Sequence, residues 1–151
     1  VFKDRRDAGR KVAEKLKPYA GRDDVIILAI PRGGVPVGDE VARALDVPLD
    51  IFLVRKLGVP GQEELAMGSI ASGGVLVTNE DIISAADITH ESLETVAEEE
   101  RKELLRRERA YRGDSPPPQI HDRVAIVVDD GLATGASMRA AVQSTKKMAP
   151  R

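Results

Sequence analysis

Residues 124–137, Val-Ala-Ile-Val-Val-Asp-Asp-Gly-Leu-Ala-Thr-Gly-Ala-Ser, hold the residue types best suited to chemistry. Two adjacent carboxylates, Asp129 and Asp130, follow an apolar run of strand length, and small or hydroxylic residues lead on to a helical pattern from about Ala136. A parallel strand delivers its following loop to the carboxyl edge of a sheet, where α/β proteins bind ligands. The helix start adds N–H groups and a positive dipole end, which favour an anion. Gly131 and Gly135 permit close backbone approach, while Thr134 and Ser137 add hydroxyl donors. A ligand with vicinal hydroxyls for two carboxylates and a phosphate for the small-residue loop fits this order, as a ribose 5-phosphate does. A plain strand–turn–helix whose acids cap the helix is the competing reading.

Two further stretches repeat the theme. The apolar run over 25–30 ends in Pro31-Arg32-Gly33-Gly34-Val35-Pro36, and Val37, Val41, Ala42 and Leu45 then mark a helix face. Adjacent glycines allow close ligand approach and Arg32 offers a forked donor suited to phosphate, although a tight turn explains the same residues equally well. The run over 49–54 reads as another strand and ends at Arg55-Lys56, two cations placed for a polyphosphate at a strand's carboxyl edge. Exposed pairs of this kind are more often simply solvated.

The order of four apolar residues, two acids, two spacers and Ala133-Thr134-Gly135-Ala136-Ser137 resembles the phosphoribosyl pyrophosphate signature of type I phosphoribosyltransferases. That resemblance implies that Asp129 and Asp130 hold the ribose 2- and 3-hydroxyls and that Ala133, Thr134, Gly135, Ala136 and Ser137 wrap the 5-phosphate. It places pyrophosphate on the backbone of Arg32, Gly33 and Gly34, with a non-proline cis peptide expected near Arg32–Gly33. Arg55-Lys56-Leu57-Gly58 resembles the Arg-Lys-x-Gly element of adenine-type members, which implies that Lys56 binds pyrophosphate. The implied reaction transfers ribose 5-phosphate to a nitrogenous base or other small-molecule acceptor and releases pyrophosphate. Magnesium, held mainly by the substrate and near Asp129 and Asp130, is the implied cofactor. Hypoxanthine and guanine members usually carry an acid at the position of Ala133, so the loop is nearer the adenine type. A module that binds phosphoribosyl pyrophosphate or a nucleotide only as a regulator is the alternative. A dinucleotide-binding fold is disfavoured, because neither glycine loop reads G-x-G-x-x-G.

The elements that must position these residues follow from periodicity. Strands at 25–30, 49–54 and 124–128, separated by helical segments, predict an α/β chain with a parallel sheet. With 25–30 between the other two, the loops after 30 and 128 meet at the switch point. An amphipathic helix is expected over 4–17. Residues 57–74, rich in glycine, read as a lid-like loop with a short hairpin at 69–71 and 75–77. A helical insertion is expected over about 79–113, with Thr89 capping a long charged helix over 90–112. Its narrow apolar stripe suits a domain edge or a second subunit.

Composition bounds the rest. The chain has 151 residues with 42% hydrophobic content, enough for a single domain over 1–151. A net charge of −2 provides no field to draw nucleic acid. Without Cys there is no disulfide framework or thiol metal site, and His90 and His121 stand apart from any ligand spacing. No apolar run approaches membrane-spanning length, so a cytoplasmic protein is expected. A homodimer is expected as well. An alternating β/α chain would return to the sheet after the last helix, and a further segment beyond Arg151 is expected.

Overall fold

The structure is a computed structural model, and it describes all residues except 1, 114, 115, 117, 118, 132–135 and 149–151, together with the side chain of residue 136. The chain divides into two compact units, Val1–Phe52 with Pro118–Arg151 and Leu53–Pro117.

The first unit is built on strand β1 (Val25–Ala29), in which all five residues are buried. A strand apolar on both faces must be covered on both, so it takes the centre of a parallel sheet. Strand β2 (Leu49–Ile51) pairs with it on one side and strand β6 (Val124–Val128) on the other, both parallel, with Ile27 level with Leu49 and with Ile126. The expected strand order is therefore present. Helix α1 (Arg5–Lys15) starts at Asp4, whose side chain accepts the Asp7 amide at 2.8 Å. Helix α2 (Gly34–Leu45) buries Val37, Val41, Ala42 and Leu45 against Val25, Ile27 and Val128. Each such aliphatic side chain removed from water contributes about 1.5–3 kcal/mol, which makes this cluster the main support of the sheet edge that follows. Helix α5 (Ala136–Lys147) lies against β6.

The expected strand 49–54 breaks in two. Phe52 still donates to the Ala29 carbonyl at 2.9 Å, but the Leu53 amide donates to Ser72 Oγ and the Leu53 carbonyl accepts the Ser72 amide, both at 2.9 Å. Ser72 is fully buried, so it offers the chain a satisfied exit from the parallel ladder. Strand β3 (Val54–Val59) then belongs to the second unit.

Over the stretch expected as a lid, that unit has an antiparallel sheet in the order β3, β4 (Gln62–Ala71), β5 (Val75–Thr78), with the register of β3 and β4 shifting at Gly58. The expected hairpin of 69–71 with 75–77 is present as part of β4 and β5. Pro60-Gly61 joins β3 to β4, and Gly61 has φ +81°, a value a type II turn requires at its third position. Helix α3 (Glu80–Ala85) is capped by Asn79, and helix α4 (His90–Arg112) by Thr89, as its sequence predicts. α4 packs Leu93, Ala97 and Leu104 with Leu57, Met67 and Ile70, so its apolar stripe covers the antiparallel sheet.

Candidate functional site

Loop 30–34 and the end of β6 meet at the carboxyl edge of the parallel sheet. The Ile30 amide donates to the Val128 carbonyl at 2.9 Å, which extends the pairing of β1 with β6 by one residue. The chain then turns at Pro31–Arg32, whose peptide bond is cis, one bond before the expected Arg32–Gly33. α2 starts at once, and the two glycines are the reason it can. A side chain at Gly33 would run into the Asp130 carboxylate, and a Cβ on Gly34 would stand 2.7 Å from the Val128 carbonyl oxygen. Gly33 and Gly34 thus let the first loop lie directly against the two acids.

Their donors differ from the expectation in one respect. The Gly34 amide donates to the Ile30 carbonyl at 3.0 Å, because α2 begins there, so Gly34 contributes space rather than an anion donor. Among the described residues, the Arg32 and Gly33 amides have no acceptor. The Arg32 side chain is exposed.

Asp129 and Asp130 share a turn in which the Asp130 amide donates to Asp129 Oδ1 at 2.8 Å. Burial raises the Asp129 carboxyl above its ordinary value, and the neighbouring Asp130 carboxylate adds to the rise. Asp130 moves the other way. The Arg5 guanidinium donates to Asp130 Oδ2 from Nε at 3.0 Å and stands 2.9 Å away at Nη2, which lowers the Asp130 carboxyl. Arg5 lies 125 residues away in sequence and escaped the sequence reading, since nothing in its local pattern separates it from Arg6 or Arg10.

Of the ribose phosphate loop, Ala133, Thr134 and Gly135 lie outside the described residues. Ala136 opens α5, and Ser137 is exposed in its first turn, where helix amides face outward. Lys56 falls in the other unit. It lies on β3 opposite Ser69 and is exposed, not at the end of a parallel strand as the sequence suggested. Strand alternation separates it from Arg55, which pairs with Glu100 of α4 at 2.8 Å. No group of three or more His, Cys, Asp or Glu suited to a metal occurs among the described residues. Two adjacent carboxylates do fit magnesium, which commonly takes one or two carboxylates and fills its octahedron with water and substrate phosphate oxygens.

A family model described as "Phosphoribosyl transferase domain" matches residues 3–151. The chain belongs to this phosphoribosyl transferase family. Its α/β fold with a three-stranded parallel sheet is that of the type I phosphoribosyltransferases. A Mycobacterium tuberculosis relative named "Putative phosphoribosyl transferase Rv0571c" is 44% identical over 143 residues, which cover 95% of this chain and 32% of the relative. The chain therefore spans about a third of the length of that protein. A "Bifunctional protein PyrR" of Clostridium acetobutylicum is 27% identical over 131 residues, 87% of this chain and 54% of that one. Among solved structures, TT1426 from Thermus thermophilus aligns with a TM-score of 0.86 and 44% identity over 99% of this chain and 71% of its own. A purine phosphoribosyltransferase from Pyrococcus horikoshii aligns with a TM-score of 0.53 at 19% identity, over 97% of this chain and 66% of its own, a likeness of fold alone. Among the described residues, no helix is long and apolar enough to cross a membrane.

Proposed function

We propose that this phosphoribosyl transferase domain binds phosphoribosyl pyrophosphate and transfers its ribose 5-phosphate to a small-molecule acceptor, most simply a nitrogenous base. The observation that carries the reading is the meeting of two loops at neighbouring parallel strand ends, where Gly33 and Gly34 leave room for Asp130 and the Val128 carbonyl. Both units are parts of one phosphoribosyltransferase domain in this reading, since the family match runs from residue 3 to 151 across both.

Asp129 and Asp130 accept hydrogen bonds from the ribose 2- and 3-hydroxyls. The loop Ala133-Thr134-Gly135-Ala136-Ser137 receives the 5-phosphate at the start of α5, a 12-residue helix whose first amides and dipole favour an anion. Arg32 and Gly33 amides hold the pyrophosphate, and the resemblance of Arg55-Lys56-Leu57-Gly58 to the adenine-type element is what supports Lys56 as a further pyrophosphate ligand. As the bond between C1 and the pyrophosphate oxygen lengthens, negative charge grows on that oxygen, and donors fixed beforehand stabilise it without reorganising. The acceptor nitrogen supplies the electron pair for the new C1 bond and loses its proton to water, since position 133 is alanine and provides no acid or base in this loop. Asp129 and Asp130 would hold magnesium, which would supply neutralising charge for the leaving pyrophosphate.

Calorimetric titration with phosphoribosyl pyrophosphate and magnesium tests the binding half. The pair Asp129→Asn with Asp130→Asn is expected to lose binding, and an unchanged affinity would sink the proposal. Pyrophosphate release in the presence of a panel of bases tests the transfer half. Position 133, an alanine that offers an acceptor no acid or base, favours one second reading, a domain that binds the same ligand as a regulator. Tight binding without pyrophosphate release for any base would select it.

A further inference from the structure

Arg5 is the one basic side chain of the first unit, among the described residues, that reaches the paired acids, and its approach is built rather than incidental. Three features of α1 aim it. Asp4 caps the helix directly before Arg5 and fixes where its first turn begins. Gly9 lets α1 press onto α2 so closely that a Cβ there would stand 2.7 Å from both the Val37 carbonyl oxygen and Glu40 Cβ. Arg6 then ties the helices together, its Nη1 lying 3.0 Å from Asp39 Oδ2 and 3.0 Å from Glu40 Oε1. With α1 pinned this way, Arg5 places two nitrogens on the same oxygen of Asp130, the carboxylate that Gly33 leaves room for.

We propose that Arg5 is a positioning residue for phosphoribosyl ligands, orienting Asp130 for the ribose hydroxyls and offsetting the charge of the acid pair. Magnitudes favour this role over a stabilising one. The Arg5 side chain is 59% exposed and Asp130 32%, and exposed ion pairs contribute little to folding. An anionic sugar phosphate approaching two adjacent carboxylates is repelled by both, however, and a fixed guanidinium on one of them reduces that repulsion in the bound state. The Nε hydrogen bond, with Nη2 beside the same oxygen, also restrains where Oδ2 sits, so a ribose hydroxyl meets a carboxylate already held on one side. The inference rests on the phosphoribosyl reading of the site.

The test is calorimetry with phosphoribosyl pyrophosphate and magnesium on the wild type, Arg5→Gln, Arg5→Lys, Asp130→Asn and Arg5→Gln with Asp130→Asn, with thermal unfolding of each alongside. Arg5→Gln is expected to weaken binding about tenfold, the loss of one well-placed polar interaction, while melting like the wild type. Arg5→Lys should recover part of the affinity, because it restores the charge without the fork. In the Asp130→Asn background, Arg5→Gln should change affinity by less than about twofold, since a residue acting through Asp130 has nothing left to orient. Equal affinities of wild type and Arg5→Gln would overturn the proposal, as would tighter binding by Arg5→Gln, which would make Arg5 a competitor of the sugar. A full tenfold loss in the Asp130→Asn background would also overturn it and assign Arg5 to the ligand directly. Absence of binding by the wild type would instead remove the phosphoribosyl reading itself, and the proposal with it.

Discussion

Asp129 and Asp130 are adjacent in sequence and opposite in electrostatic setting. Burial raises the Asp129 carboxyl, while the Arg5 guanidinium lowers that of Asp130. For Asp129, a folded value above the unfolded one means that the native state binds more protons in the window between them. Its charge therefore opposes folding at all pH above that window, and stability is regained as pH falls through it. Asp129→Asn removes the charge at nearly constant shape, so the variant should melt higher than the wild type at neutral pH and lose the difference towards acid. Asp130 has the reverse sign. Its contribution is present above the ordinary carboxylate value and is lost as pH falls through the lowered one, so Asp130→Asn should lower or leave unchanged the neutral melting temperature. Thermal unfolding of both variants between about pH 3 and 8, a range that brackets ordinary carboxylate titration, checks the two signs. Greater stability without the Asp129 charge, together with lost ligand binding, would mark the acid as kept for function. The pair itself is legible in sequence because the apolar run before it and the glycines after it announce a strand end. Its asymmetry is not, because it comes from Arg5 at the other end of the chain.

At the scale of elements, the contact of α1 with α2 turns on Gly9. A glycine inside a helix costs about 0.8–1.0 kcal/mol relative to alanine, so Gly9→Ala would stabilise an exposed helix. Here the added Cβ would meet the Val37 carbonyl oxygen and Glu40 Cβ at 2.7 Å, a backbone atom and the rigid root of a side chain. Overpacking of this kind costs about 1–3 kcal/mol and outweighs the propensity gain. Gly9→Ala is therefore expected to lower the urea midpoint, and a higher midpoint would show that the helices separate at little cost. The variant should also displace Arg5 from Asp130 and weaken phosphoribosyl pyrophosphate binding in step with Arg5→Gln. Sequence reading finds elements whose periodicity is strong, such as β1, α2 and α4, and fails where the partner decides the outcome. The break after Phe52 depends on Ser72, 19 residues past Leu53, which takes the next amide. The hairpin of 69–71 with 75–77 is legible, but reading 57–74 as a lid hides the pairing of β3 with β4, because glycines at 58 and 68 look like loop residues. They are strand positions where another backbone passes closely: a Cβ at Gly58 would meet the Glu63 carbonyl oxygen at 2.8 Å, and one at Gly68 would run into that of Val77. Pro60-Gly61, a turn signal between alternating residues, is the clue that would have found it.

At the scale of the whole molecule, each unit carries its own hydrophobic cluster, one around Ile27, Val41 and Leu45 and the other around Leu57, Met67, Ile70 and Leu104. Leu104 and Leu105 sit side by side on α4, yet Leu104 is 1% exposed and Leu105 50%. Truncating a buried leucine removes its transfer free energy and leaves a cavity, about 2–5 kcal/mol, whereas an exposed one changes stability within roughly 0.5 kcal/mol. Leu104→Ala should therefore destabilise strongly and Leu105→Ala hardly at all. The location of the damage is the sharper measurement. Cooperative units of a protein open separately when their cores are separate, and amide hydrogen exchange reports each one by its own opening free energy. In Leu104→Ala, amides of β3, β4 and β5 should exchange faster by a factor of ten or more, since each 1.4 kcal/mol is tenfold, while those of β1 and β6 keep wild-type protection. Val41→Ala, fully buried in the other cluster, should give the converse pattern. Equal acceleration in both sheets from either substitution would show one cooperative unit, and the two clusters would then have to be read as halves of a single core. Phosphoribosyl pyrophosphate adds a control: a ligand held by Arg32, Gly33, Asp129 and Asp130 alone should protect β1 and β6 by mass action, and protection of β3 as well would be the signature of Lys56 taking part in binding.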